Sequence, residues 1–240
     1  MSQTNVFLLP DLIATDNIIN DSLCVVIDVL RATTTIVNAL GNQAASITPV
    51  VTVEEARKVA AGTGSLLGGE RDCKRLEGFD FGNSPAEYTQ SRVANKEITL
   101  TTTNGTWALM ACLGADQILI AAFANLTAVA NAIAGHPKVN IVCAGTNGEI
   151  TLEDALLAGA LAAGRNSSQQ NDQALLAIDL WQQCEQSADL NRSIFEKLLV
   201  SRGGKNLQQV GMVSDIKLCA KLDTHSILPK LSSPSKTIHL

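Results

Sequence analysis

Leu23-Cys-Val-Val-Ile27 is an unbroken apolar run, and it leads directly into Asp28-Val-Leu-Arg-Ala-Thr-Thr-Thr35. A strand with one face in water alternates apolar and polar residues. A run that is apolar at every position is buried on both faces, as in the middle of a parallel sheet. Leu23–Val29 therefore reads as a central strand. Thr34–Leu40 reads as the helix that follows, with Gly41 as its stop signal. The same rhythm continues outward. Strands are predicted at Ser46–Val50, Ser65–Leu67, Glu97–Thr101, Gln117–Ala121 and Val139–Cys143, and helices at Thr106–Leu113, Leu126–Ala134 and Leu152–Ala163. Thr52-Val-Glu-Glu55 is a capping box that opens a further helix, and Ser84-Pro-Ala-Glu87 has the same form with proline at the first helical position. Alternation of this kind predicts an α/β fold with mainly parallel sheets and helices on both faces.

Beyond Gly164 the rhythm changes. Asn166–Asp172 reads as a polar linker, and Gln173–Glu185, Leu190–Ser201 and Val213–Lys221 as helices, with Gly203-Gly204 as a break between the last two. The tail Ser232–Leu240 reads as a polar loop ending in an edge strand.

The composition agrees with this picture. Of 240 residues, 46% are hydrophobic, 17% charged and only 3% aromatic, which implies an aliphatic, alanine-rich core and excludes disorder, collagen and a coiled coil. The net charge of −5 argues against nucleic acid as a partner, since binding phosphates along a duplex needs a basic face. An anionic ligand must then be held locally, against the field of the whole chain. Six cysteines, none in a CxxC pair, read as free thiols of a reducing compartment. No signal-peptide pattern is apparent, and no apolar run nears the roughly 20 residues of a membrane span. The expectation is a cytoplasmic protein that binds neither membrane nor nucleic acid; a homodimer is left open.

In open α/β sheets, ligands bind beyond the carboxyl ends of the strands. Four junctions there carry chemistry. At the first, Asp28 could hold a divalent metal, while Arg31 and the hydroxyls of Thr33 and Thr34 could hold phosphate oxygens. Helix caps and a solvated arginine would explain the same residues. The second is the long stretch Gly68–Asn83, where Glu70 follows a strand as Asp28 does. It offers a second carboxylate, Arg71 a second oxyanion clamp, and Asp80 and Asn83 further ligands; a loop this long is more often functional than not. At the third, Thr101-Thr-Thr-Asn-Gly-Thr106 could form an amide nest for an anion, or a plain Asn-Gly turn. At the fourth, Thr146 and Asn147 repeat the Thr-Asn-Gly pattern of residues 103–105. Thr151-Leu-Glu-Asp154 fits a capping box, which would account for Asp154 without catalysis, while Glu153 lies at another helical azimuth and one of the two acids could face the site.

Other chemistries find no support. Gly62-Thr-Gly64 lacks the third glycine of a dinucleotide fingerprint, and Gly64 to Gly69 is followed by Glu70 rather than the lysine of a P-loop. The three histidines are scattered, which disfavours a zinc site or a serine triad. The second aspartate of a haloacid-dehalogenase-type phosphatase is replaced by Leu30.

Taken in order, Asp28–Thr35, Gly69-Glu-Arg71, Gly78-Phe-Asp-Phe-Gly-Asn-Ser-Pro85, Thr102-Thr-Asn-Gly-Thr106, Ala144-Gly-Thr146 and Glu153-Asp154 resemble the 2-phosphosulfolactate phosphatase family over nearly the whole chain. The resemblance implies Mg²⁺-dependent hydrolysis of 2-phospho-3-sulfolactate to 3-sulfolactate and phosphate, a step of coenzyme M biosynthesis. Members also occur in bacteria that do not make that cofactor. It implies two similar, intertwined three-layer α/β/α units with mainly parallel sheets, in a single unit of residues 1–240 whose halves, near 1–105 and 106–240, exchange segments. The expected catalytic groups are Asp28, Arg31, Glu70 and Arg71. The expected Mg²⁺ ligands are Asp28 and Glu70, with Asp154 or Glu153 as a third. The expected substrate contacts are Thr33, Thr34, Asn83, Thr103, Asn104, Gly105, Thr146 and Asn147. Trp107 departs from the family, which often carries arginine after Asn-Gly-Thr. Two alternatives compete: a phosphatase of another small phosphorylated hydroxy acid, which a substrate panel would identify, and a non-catalytic binder of anionic metabolites, which would release no phosphate.

Overall fold

The apolar run forms a strand over Leu23–Ile27 with every residue buried. A computed structural model describes residues 2–13, 18–233 and 235–240. In chain order the first part comprises β1 (Gln3–Phe7), β2 (Leu23–Ile27), α1 (Ala32–Gly41), β3 (Ser46–Pro49), α2 (Val53–Thr63), β4 (Leu66–Arg71), β5 (Lys74–Arg75), α3 (Gln90–Val93) and β6 (Glu97–Thr101). The second part comprises α4 (Gly105–Ala111), β7 (Gln117–Ala121), α5 (Leu126–Ile133), β8 (Lys138–Cys143), α6 (Leu152–Ala163), β9 (Gln169–Gln170), α7 (Asp172–Glu185), α8 (Leu190–Val200), α9 (Arg202–Gln209), α10 (Val213–Cys219), β10 (Lys230–Ser232) and β11 (Thr237–His239).

The strands join in the order β5-β4-β6-β3-β11-β10-β7-β2-β8-β1-β9. This is an α/β architecture built on a large, mostly parallel sheet with helices on its faces. β2 explains its own composition. Leu23, Val25 and Ile27 face one core cluster, which holds α6 and α7 residues such as Leu157 and Trp181. Cys24 and Val26 face the other, with Ile36 of α1 and Leu109 of α4. Neither face meets water, so no position alternates to polar.

Two parallel blocks make up the sheet. β7, β2, β8, β1 and β9 are parallel neighbours, as are β4, β6 and β3. Thus β1 and β2, from the start of the chain, pair with strands of its second half. The hairpin of β10 and β11 lies between the blocks and pairs antiparallel on both sides. Three antiparallel steps in succession make the blocks run in opposite senses. The join is narrow: β11 meets β3 at one register position, Ile238 with Ile47. The tail strand is therefore internal, not at an edge as predicted. The sequence signal misleads because β11 is only three residues long and flanked by polar turns.

Other boundaries shift for identifiable reasons. The stretch beginning at Gly68 is not loop throughout: β4 runs through Gly68-Gly69-Glu70 and turns back as β5. Gly41 closes α1 from within, because a Cβ there would collide with the ring of His225. Gly203-Gly204 is no break. Both lie in the first turn of α9, where Ser201 accepts a hydrogen bond from Gly204 N at 3.0 Å. Among the described residues, no helix is long and apolar enough to cross a membrane, and all six cysteines are free.

Candidate active site

β2 ends at Ile27, paired with Ala121 on one side and Cys143 on the other. The chain then turns sharply into α1, and the threonines tie that turn. Thr33 Oγ1 donates to Asp28 O at 2.9 Å and accepts from Asp28 N at 3.0 Å, while Thr34 Oγ1 donates to Val29 O at 2.8 Å. Both are buried and neither lines the cavity described next, so their hydroxyls serve the backbone.

Ends of strands from both blocks converge on a cavity of about 270 Å³. Asp28 enters from β2, Glu70 from β4, Thr103 and Asn104 from the turn after β6, and Thr146 and Asn147 from the turn after β8. Leu30, Arg31, Asp72, Cys73 and Asn83 complete this part of the wall. The remainder comes from α9 and its end: Gly203, Asn206, Gln209 and Val210. None of these last four is visible from motif reading, since no phosphate or metal pattern surrounds them.

Asp28 is 7% exposed. Its Oδ1 accepts from Ala32 N at 3.2 Å. Gly105, at the start of α4, lies against it: a Cβ on that residue would stand 2.7 Å from Asp28 Oδ2 and 2.6 Å from the Ala32 Cβ. Only glycine permits this approach. Burial pushes the Asp28 carboxyl up to about 7, and the charges of Glu70 and Glu153 add to the shift. The Ala32 amide and the Arg31 guanidinium act in the opposite direction.

The other carboxylates have structural partners. Glu70 Oε1 accepts from Thr103 N at 3.1 Å and Thr103 Oγ1 at 3.0 Å, and Oε2 accepts from Cys73 N at 2.9 Å. Asp154 does not line the cavity. Its Oδ1 accepts from Val29 N at 2.8 Å and its Oδ2 from Gly145 N at 3.0 Å, so it clamps the ends of β2 and β8 together. Burial and the charges of Glu153 and Asp28 push it well above the usual carboxylate range. The predicted capping box at Thr151 is therefore absent: Thr151 makes no side-chain cap bond, and Asp154 reaches across the fold instead. Glu153 turns toward Ser201 and Gly203 at the start of α9, where a Cβ on Gly203 would collide with its Oε1. Burial raises its pKa, and its Oε2 has no partner among the described residues. The box predicted at Ser84 fails likewise, because Ser84 Oγ donates to Asp215 Oδ1 at 2.8 Å and Glu87 accepts from Gly82 N at 3.1 Å.

The two arginines separate. Arg31 Nη1 pairs with Asp215 Oδ2 at 2.6 Å, and Nη2 donates to Cys73 O at 3.1 Å. Its Nε–H has no protein acceptor among the described residues. Arg71 does not line the cavity. It donates to Glu70 O, Val51 O and Thr101 Oγ1, which pins β4 to its surroundings. The amide nests are also partly used: Asn147 N donates to Asn104 Oδ1 at 2.9 Å, and Thr146 N to Glu149 O at 2.9 Å. Asn83 Oδ1 is buried in the wall with no partner among the described residues. Among those residues no three His, Cys, Asp or Glu side chains gather as a metal cluster.

The sequence profile of a family described as 2-phosphosulpholactate phosphatase matches residues 7–234. A protein of Pseudothermotoga lettingae named a probable 2-phosphosulfolactate phosphatase is 42% identical over 207 residues, covering 86% of this chain and 88% of its own. A protein of the same name from Symbiobacterium thermophilum is 42% identical over 216 residues, covering 86% of this chain and 90% of its own. One from Thermotoga maritima is 39% identical over 207 residues, covering 86% and 88%.

Proposed function

The chain belongs to the 2-phosphosulpholactate phosphatase family, and from that membership we propose that it is a phosphoric monoester hydrolase of 2-phospho-3-sulfolactate that uses Mg²⁺. The observation that carries the cation is the charge of the cavity. Asp28, Glu70 and Asp72 line it, and Arg31, its one basic lining residue among those described, is already paired with Asp215. A substrate bearing phosphate, sulfonate and carboxylate groups meets net repulsion on entering such a wall unless a cation intervenes.

The donor set suits a hard cation. Asp28 and the unpartnered Asn83 Oδ1 would hold Mg²⁺, with Glu70 on the same wall, since Mg²⁺ takes one or two carboxylates and fills its shell with water and substrate oxygens. When bound it would supply charge neutralisation at the phosphoryl oxygens. Asp154, with both oxygens on backbone amides, would keep the ends of β2 and β8 at fixed spacing. Arg31 would direct its Nε–H at a phosphate or sulfonate oxygen while Asp215 and Cys73 O hold its plane. The amides of Asn104 and Gly105, without protein acceptors among the described residues, would receive a further oxygen. Phosphoryl transfer depends mainly on such positioning and electrostatics.

The test is phosphate release from racemic 2-phosphosulfolactate, with Mg²⁺ and with EDTA, beside 2-phospholactate and phosphoglycolate. Mg²⁺-dependent release strongest on the sulfonate is expected. Release unaffected by EDTA would remove the metal, and strongest turnover of another ester would change the substrate.

A further inference from the structure

Beside the acidic cavity lies a second cleft of about 520 Å³ with the opposite chemistry. Trp107, Met110, Leu9, Pro10 and Ala144 form most of its wall, and among the described residues its one charged lining residue is Asp11, which is exposed. Trp107 is 60% exposed, although its neighbour Ala108 is fully buried. A tryptophan left this open costs hydrophobic free energy unless something covers it in use.

The two cavities share two walls. The turn into α4 and the start of that helix give Thr103 and Asn104 to the first and Trp107 and Met110 to the second. The loop after β8 gives Thr146 and Asn147 to the first and Ala144 and Gly148 to the second. Asn104 lines both, and its Oδ1 accepts from Asn147 N at 2.9 Å, which joins the two shared walls. A ligand held by its phosphate beside Asp28 thus has an apolar surface in the cavity that shares Asn104 with its own. Among the described residues, that surface offers no cation to a second anionic group.

We propose that the Trp107 cleft is a substrate subsite for an apolar substituent, and that the enzyme also hydrolyses phosphate monoesters of 2-hydroxy acids bearing an alkyl or aryl side chain. The reaction is ordinary ester hydrolysis. Water oxygen bonds to phosphorus and the bond from phosphorus to the ester oxygen breaks. Its electron pair stays on that oxygen, which takes one proton of the water. This rests on the cavity beside Asp28 being a phosphomonoester site. Even one methylene added in an apolar pocket is worth about 10- to 200-fold in discrimination.

The experiment compares kcat/KM for the 2-phosphate esters of lactate and 3-phenyllactate in the wild type, Trp107→Ala and Trp107→Phe. Wild type is expected to favour the phenyl ester at least tenfold, mainly through KM. Trp107→Ala should bring the ratio near one, and Trp107→Phe should restore most of it. A ratio that Trp107→Ala leaves unaltered overturns the proposal. So does a stable dimer in which Trp107 emission is already blue-shifted without ligand, since the cleft would then be an interface. If no ester at all is turned over, 2-phosphosulfolactate included, the phosphatase reading fails, and binding decides the subsite separately. The chain has two tryptophans, and Trp181 is buried. The phenyl ester should therefore shift the exposed Trp107 emission where the lactate ester does not, and no shift would overturn the subsite.

Discussion

Arg31 and Asp215 stand 184 residues apart in the chain and meet at 2.6 Å, each almost fully buried. The pair ties the first strand-to-helix turn to α10, in a region whose sequence carries no recognisable motif. Asp215 also accepts from Ser84 Oγ at 2.8 Å, so three distant segments meet at one carboxylate. Removing one partner of a buried pair leaves the other charge uncompensated, at about 3–5 kcal/mol. Asp215→Ala should therefore destabilise by that order and lower turnover by misplacing Arg31. Urea unfolding with phosphate-release kinetics checks this; a loss below about 1 kcal/mol would mean that Arg31 finds water or another anion.

Asp154 should act through geometry rather than by touching the substrate. Asp154→Ala leaves the Val29 and Gly145 amides buried without an acceptor, each worth about 1–3 kcal/mol. A lower Tm together with a reduced kcat is expected, because the ends of β2 and β8 would no longer be held together. Unchanged kcat at a lowered Tm would confine Asp154 to stability.

The raised pKa of Asp28 sets a pH dependence in the metal-free protein. An unfolded aspartate loses its proton near pH 3.9, whereas folded Asp28 keeps it up to about 7. Between those values the native chain holds the extra proton, so stability falls as pH rises and levels off above the folded value. Asp28→Asn should flatten part of that slope, be more stable than wild type at pH 8 in EDTA by a few kcal/mol, and lose hydrolysis. Urea midpoints at pH 4 and pH 8 give the comparison; equal slopes in both proteins would contradict it.

Gly105→Ala introduces a methyl within van der Waals distance of both Asp28 and Ala32. Displacing α4 or turning the Asp28 carboxylate is the only relief. A loss of activity of more than tenfold is expected, with about 1–3 kcal/mol of destabilisation as for other overpacked sites. Full activity in a folded variant would show that the Asp28 orientation is not critical.

Much of the architecture was legible. The five strands predicted with helices after them appear within a few residues of their expected bounds, because strand burial and helix capping are local signals. The cap predicted at Thr52 forms, but only half of the box does: Thr52 accepts from Glu55 N at 3.0 Å, while the Glu55 side chain reaches past the cap amide and accepts from Val51 N at 3.3 Å. Glu55 has no competing buried partner. Asp154 and Ser84 fit the same pattern, yet each finds a partner across the fold, so neither forms the box. Asp28, Thr103, Asn104, Thr146 and Asn147 were legible as wall residues since each follows a strand end, and Glu70 and Asn83 because they lie in the glycine-rich stretch 68–83. Gly203, Asn206 and Gln209 were not, because α9 enters the site by its position over the sheet and not by any chemistry of its own.

By itself the sequence determined which segments become strands and helices, and that charged and polar residues gather near the ends of β2, β4, β6 and β8. Those are consequences of short-range periodicity and of charged residues interrupting apolar runs. Only the tertiary structure decided which carboxylates face the cavity and which are spent on amides, since a side chain's partner depends on what the fold brings beside it. It also decided that two blocks running in opposite senses line one cavity. That outcome depends on β10 and β11, two strands of three residues whose pairing across the sheet no local pattern reveals.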